Sequence, residues 1–490
     1  MRKMMIAGAL LLGLGLQAQT LQQKVDQAVA REPLQGAVVG VMVQDASGHV
    51  VASREAGRRM VPASNLKLIT TGAALHALGQ DFRFGTDIGY TGTVEDGTLH
   101  GDVYIVGGGD PTIGVVDTVA VKPDALFWRW KSYLKSAGIS RIDGRIIGDG
   151  RAYEGHLENQ TWSYDDTGTY YGAGCNALGF YENAVDYSVS AGLEGEPVKV
   201  VQRYPDTPWM HFGNLTSTGP AGTGNSLYLY TTDLAPYAEM RGTFAVDRKP
   251  KMEHFANKYG ALTCAYYFWQ NLRDTGWDIS GGYADIDRGG YVRGRDFVSA
   301  YKAGTPRIVG TSSSPVLSKI VRETNVRSDN FYAEALFRQM GEKASGIAVY
   351  DSCRVAVADV LRGLMGPAAD LSGLRMEDGS GLSRLNSVSP AFLVSFLRSM
   401  TRSKAFEPFL ASLPQPGEGT LNTLLPRLPA AKKARIRIKS GSMDGVLCYS
   451  GYILDEEGKP AYIFSLMVNG AIAQTNVLRE TLGGLIEAML

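Results

Sequence analysis

The chain has 490 residues, 44% of them hydrophobic and 20% charged, and its 49 basic side chains balance 49 acidic ones. Such a balance excludes the basic surface that nucleic acid or an anionic membrane face would require. The length exceeds one ordinary core, and at about 150 residues per domain it points to two to four domains.

At the N-terminus, Arg2 and Lys3 precede an apolar run from Met4 to Leu16, and Leu16-Gln17-Ala18 fits a cleavage site. Residues 1–18 therefore read as a secretory signal peptide, and the protein is expected to be exported, to a periplasm or cell envelope. The run is short for a bilayer span, and no later stretch approaches about 20 apolar residues, so no transmembrane anchor is expected. Cys175, Cys264, Cys353 and Cys448 are widely spaced with no C-x-x-C pair. Neither a metal site nor any other cofactor is indicated, while disulfides and buried thiols both stay open.

After the leader, Leu21, Val25, Ala28 and Val29 recur at helical spacing. The valine-rich run Ala37 to Gln44, the turn Ala46-Ser47-Gly48 and the extended run His49 to Ser53 read as a β-hairpin. Val61-Pro62-Ala63-Ser64-Asn65-Leu66-Lys67 then opens a helix through Ile69, Ala73, Ala74, Leu75 and Leu78 that is apolar on nearly every side, hence buried. From Phe82 the chain turns rich in glycine, threonine and tyrosine, with turns such as Glu95-Asp96-Gly97, and reads as β-rich. A helix is expected over Ala261 to Leu272.

From about residue 300 helices dominate, over Ser314 to Val326, Phe331 to Met340, Ala348 to Leu364 and Pro390 to Met400. Strands follow over Ile436 to Lys439, Gly445 to Ile453 and Ala461 to Val468, the last two joined by the polar turn Asp455 to Pro460. A helix bearing Leu478, Leu482, Leu485 and Ile486 closes the chain. Hairpins and helices at both ends imply one antiparallel sheet built from the two termini of the chain, interrupted by an insert. The fold class is α+β. The expected division is a discontinuous domain of residues 19–82 and 300–490, and a β-rich insert of residues 83–299.

Three motifs carry chemistry. Ser64 and Lys67 are a helical i, i+3 pair, so the amine lies beside the hydroxyl, and burial would lower the lysine pKa enough for it to act as a base. The spacing alone is common, for Ser132/Lys135 and Ser299/Lys302 share it. Ser-x-Asn and Lys-Ser/Thr-Gly, however, occur once each, as Ser328-Asp329-Asn330 and Lys439-Ser440-Gly441. Ser328-Asp329 also suits a helix N-cap, and Gly441, lacking Cβ, would let a substrate backbone approach the strand. The ordered trio is the signature set of penicillin-binding proteins and class A β-lactamases.

Tyr170-Tyr171-Gly172-Ala173-Gly174, Asp378-Gly379-Ser380-Gly381-Leu382-Ser383, Val388-Ser389-Pro390 and Gly417-Glu418-Gly419-Thr420-Leu421 resemble the class C low-molecular-mass penicillin-binding proteins, which are D-alanyl-D-alanine carboxypeptidases and endopeptidases. The resemblance covers about residues 35 to 470. It implies a transpeptidase-like domain with helices on both faces of its sheet and an insert, residues 83–299, of two subdomains, the whole acting on peptidoglycan stem peptides and inhibited by β-lactams. It further implies Ser64 as nucleophile, Lys67 as general base, Ser328 as proton relay, Asn330 as a partner of the substrate amide and Lys439 as a positive charge near the substrate carboxylate. Ser440, Gly441 and Ser442 would line the substrate, with the N–H groups of Ser64 and Ser442 as oxyanion donors. Tyr171, with Asp166 or Asp165, would receive the stem peptide. Serine stands at 440 and 442 where the family more often has threonine, which implies altered substrate preference. A β-lactamase of the same fold and a non-catalytic cell-wall binding protein are the alternatives.

Overall fold

The computed structural model describes residues 19–116 and 119–490, so the expected signal peptide lies outside the described residues. A five-stranded antiparallel sheet joins the two ends of the chain, in the order Val50–Arg54, Val38–Asp45, Pro460–Asn469, Val446–Leu454, Ile436–Met443. Its central strands are covered on both faces, which explains why they read as continuous apolar runs. Val446–Leu454, for example, is buried at every position.

Successive side chains of a strand point to opposite faces. Leu447, Tyr449 and Ile453 pack with Val25, Leu482 and Ile486 from the helices Leu21–Val29 and Thr475–Glu487. Cys448, Tyr452 and Met467 face the larger core, which contains Leu68, Ile69, Leu336, Phe337 and Phe396. That core is built from the helices Lys67–Leu78, Leu317–Arg327, Asn330–Ser345, Tyr350–Met365 and Pro390–Met400. The α+β architecture, with one sheet between two helical layers, is the expected one.

Between the N-terminal hairpin and these later helices stand the other large sheets. A seven-stranded sheet runs Ser299–Lys302, Tyr291–Gly294, Tyr283–Ile286, Ile146–Asp149, Val103–Gly107, Gly85–Tyr90, Arg307–Ser313. Its last strand lies beyond residue 299, so pairing within this region continues past the division expected there. Trp130, Leu134, Leu262 and Phe268 from the helices Pro123–Ser136 and Gly260–Asp274 share its core. The first of these helices was not anticipated, although Leu126, Trp130 and Leu134 recur at four-residue spacing. Two three-stranded sheets from residues 184–256 enclose a separate small core with Val185, Val189, Leu229, Met240 and Phe244. All four cysteines are buried free thiols, which closes the disulfide alternative.

Candidate active site

The segment that opens the buried helix is not α-helical throughout. Ala63–Leu66 forms a 3-10 turn and Lys67–Leu78 the α-helix. Side chains three apart eclipse in a 3-10 turn, and here that aligns the hydroxyl of Ser64 with the amine of Lys67, whose Nζ donates to Ser64 Oγ at 3.0 Å. Ala63 holds the left-handed region at φ 48°, a conformation that costs a residue with Cβ about 1–2 kcal/mol. Packing enforces it, because the carbonyl of Ala63 abuts Gly381, where an added Cβ would lie 2.0 Å from that oxygen.

Lys67 is fully buried and also donates to Asn330 Oδ1 at 2.6 Å and to the Ser380 carbonyl at 2.7 Å. Burial lowers its pKa to about 8, against the opposing pull of the Asp329, Asp378 and Glu334 carboxylates. The repulsion between the two lysines is expressed on Lys439, which burial in the first place, and Lys67 in the second, push well below the ordinary lysine range. The physical reason is the neighbourhood: Lys67 has three carboxylates close enough to support its charge, and no carboxylate offsets the desolvation of Lys439.

Ser328 caps the C-terminus of Leu317–Arg327 in the left-handed conformation, and Asp329 caps the N-terminus of the next helix by accepting from Tyr332 N at 2.9 Å. The capping reading of this motif therefore holds, at Asp329. Lys439 Nζ donates to Ser328 Oγ and to the Ser440 carbonyl, each at 2.8 Å. Asn330 Nδ2 donates to the Tyr171 carbonyl at 2.9 Å, which with the Lys67 contact fixes the orientation of its amide.

Gly441 has a further use: an added Cβ would lie 2.4 Å from Pro62 O, 2.6 Å from Asn65 N and 3.0 Å from Ser64 N, so glycine lets the strand close on the turn that carries Ser64. Ser440 Oγ hydrogen-bonds Thr420 Oγ1 at 2.8 Å, and Ser442 is exposed. The structure thus brings Ser64, Lys67, Ser328, Asn330, Lys439 and Gly441 together from the two ends of the chain, with Ser440 and Ser442 flanking Gly441 on the same strand.

Sequence reasoning missed the support beneath Lys67. Asp378 accepts from Gly381 N, Asn386 Nδ2 and Trp162 Nε1 at 2.8 Å and from Ser383 N at 2.7 Å, shaping the turn whose Ser380 carbonyl receives Lys67. Glu334 accepts from Gly379 N at 3.0 Å and Ser380 N at 2.8 Å, and burial followed by the Asp378 charge raises its pKa. Its signal was its place one helical turn after Asn330. Between the two acidic candidates near Tyr171, Asp166 is the one whose charge, after burial, helps raise the Tyr171 pKa. Burial raises the pKa of Asp166 itself while the charge of Arg384 opposes the rise. Beside Ser328 and Asn330 opens a cavity of about 420 Å³, walled also by Tyr170, Tyr171, Glu182 and Arg327.

A hydroxyl bonded to a buried lysine of lowered pKa can lose its proton to that lysine as it attacks a carbonyl. This arrangement, on an antiparallel sheet interrupted by a large insert, places the protein in the class of penicillin-recognising serine acyl-transferases. The chain belongs to the D-Ala-D-Ala carboxypeptidase 3 (S13) family, whose model matches residues 21–486, and it is a serine-type peptidase of that class. It is 29% identical over 473 residues to a D-alanyl-D-alanine carboxypeptidase of Actinomadura sp. (strain R39), covering 93% of this chain and 82% of the relative. It is 22% identical over 457 residues to the D-alanyl-D-alanine carboxypeptidase DacB of Haemophilus influenzae, covering 89% and 86%. The crystal structure of penicillin binding protein 4 (dacB) from the same organism superposes with a TM-score of 0.80 at 21% identity, covering 95% of this chain and 99% of that one. Among the described residues no helix is long and apolar enough to cross a membrane.

Proposed function

We propose that the chain releases the terminal D-alanine of peptidoglycan stem peptides through an acyl-enzyme on Ser64, and that β-lactams block it by acylating the same oxygen. The observation that carries the assignment is the 3.0 Å contact between Ser64 Oγ and the fully buried Nζ of Lys67. Neutral Lys67 takes the hydroxyl proton as Oγ bonds to the carbonyl carbon between the two D-alanines. The N–H groups of Ser64 and Ser442 then hold the oxyanion. As the C–N bond breaks, the proton taken up by Lys67 passes through Ser328 Oγ, which Lys439 Nζ contacts, to the leaving amine, so that Lys67 is neutral again. Water, deprotonated by Lys67, then cleaves the ester and frees Ser64.

In this reading Asn330 holds the substrate amide, Lys439 with Ser440 and Ser442 attracts the terminal carboxylate, and Asp166, Tyr171 and Arg384 receive the stem-peptide side chain. The catalytic unit is formed by residues 19–82 and the chain after about residue 300, and residues 83–299 are the insert. The N-terminal segment 1–18 directs export to the periplasm or cell envelope.

A second reading, cleavage of cross-links, is favoured by the 420 Å³ cavity beside Ser328. Pockets of roughly 300–1,000 Å³ enclose whole small ligands, and a single alanine leaving group would not fill this one. The test uses protein without residues 1–18. It should release D-alanine from a pentapeptide ending in D-Ala-D-Ala, lose that activity on brief exposure to penicillin, and recover slowly. Rapid turnover of penicillin with no D-alanine released would assign a β-lactamase instead, and neither reaction would leave a binding protein.

A further inference from the structure

On the outer face of the small three-stranded sheet lies a row of side chains that the reaction does not use. Tyr228–Thr231 pairs antiparallel with Tyr237–Ala245, placing Tyr228 opposite Arg241 and Tyr230 opposite Glu239. Leu229, Ala238 and Met240 alternate with these residues and fill the core beneath, so Tyr228, Tyr230, Glu239 and Arg241 face outward. Tyr164, 70% exposed, extends the row, with its ring centroid 6.0 Å from that of Tyr230. Tyr228 and Tyr230 meet edge to face at 4.8 Å, and Arg241 lies 4.9 Å over the Tyr230 ring.

The row is fixed in place and continuous with the candidate active site. Tyr228 Oη donates to the Tyr164 carbonyl at 3.0 Å and accepts from Gly168 N at 3.3 Å. Trp162, two residues before Tyr164, donates through Nε1 to Asp378 at 2.8 Å, and Tyr171, at the end of the same stretch, accepts from Asn330 Nδ2 through its carbonyl at 2.9 Å. One short stretch, residues 162–171, therefore links the aromatic face to the loop that receives Lys67.

We infer that this face docks the sugar strand from which the stem peptide hangs, an inference that rests on the stem-peptide reading given above. A pyranose ring has a C–H face that suits the electron-rich face of an aromatic ring, and hydroxyl and acetamido edges that suit a carboxylate and a guanidinium. Tyr164 and Tyr230 offer the faces, and Arg241, exposed and held at 2.5 Å by Glu239, which Tyr237 Oη also engages, offers the edge. Leu215, 63% exposed, adjoins Arg241 from the neighbouring strand and adds an aliphatic margin to the row. Its continuity with the site puts it where the carrier polymer must pass when a stem peptide reaches Ser64.

The test compares two substrates that end in the same D-Ala-D-Ala, one a free pentapeptide and one carried on a glycan strand. Tyr164→Ala/Tyr230→Ala should lower kcat/KM on the glycan-linked substrate by about tenfold, leave the free pentapeptide within about twofold, and leave Tm unchanged. Tyr164→Phe/Tyr230→Phe, which keeps both rings, should behave as the unaltered protein. In a separate titration a soluble β-1,4-linked N-acetylglucosamine tetramer should bind the unaltered protein and not the double alanine variant. Equal kinetics for all proteins on both substrates would overturn the inference, as would a parallel loss on both, which would make the row a peptide contact. Should the unaltered protein release D-alanine from neither substrate, the stem-peptide reading fails. The titration then decides on the sugar surface by itself.

Discussion

Ser64/Lys67 and Ser132/Lys135 have the same spacing on helical backbone, and they differ in everything that makes chemistry. Ser132 lies on the helix Pro123–Ser136, its hydroxyl donates to the Arg129 carbonyl at 2.6 Å, and Lys135 is exposed. Ser64 and Lys67 instead sit where a sheet, a helix and the Ser380 turn converge, with three acceptors around one desolvated amine. Ser299/Lys302 makes the contrast wider, since it lies on an exposed strand where neighbours three apart point to opposite faces. The lesson is that i, i+3 spacing supplies proximity, while burial supplies the base.

The largest break in this comparison is removal of the hydroxyl. Ser64→Ala should reduce D-alanine release by about four orders of magnitude or more and abolish covalent labelling by a β-lactam. Ser132→Ala and Ser299→Ala should keep both. Mass mapping of the labelled protein checks this, and label on either of the other serines would end the assignment.

Next comes the base. Lys67→Arg keeps a cation in place, yet a guanidinium does not release its proton, so acylation should slow by about 10²–10⁴-fold. In the unaltered protein the folded pKa of Lys67 lies below the ordinary lysine value, at about 8. The neutral, active form therefore grows as pH rises through about 8, and the acylation rate should rise with it. A rate flat between pH 7 and 9, or a substantially active Lys67→Arg, would contradict the role.

The smallest effect sharpens the comparison by tuning the burial term. Asp329 is the first of the carboxylates that hold the Lys67 pKa up. Asp329→Asn retains an oxygen for the cap to Tyr332 N and removes the charge, so the acid limb of the pH–rate profile should move to lower pH, by under about one unit. A shift to higher pH would show that the charge does not act on Lys67.

Much of this protein was legible along the chain because its signals are local or periodic. Apolar runs at both ends gave the antiparallel sheet, the helix Pro390–Met400 fell where its periodicity put it, and three short motifs named the polar residues that now meet. The helix Pro123–Ser136 was hidden by the glycine- and threonine-rich context on either side, although its own apolar spacing was present.

What the sequence by itself determined is the set of reactive side chains and the alternation that buries their scaffold, since both depend on residue type and short spacing. Only the tertiary structure decided which Ser-x-x-Lys pair is desolvated. It also decided that Gly441 makes room for the Ser64 turn, and that Asp378 and Glu334 shape the turn receiving Lys67. Each of these depends on segments distant in sequence closing on one another, and a pKa or a steric limit is set by everything within a few ångströms, whichever part of the chain it comes from.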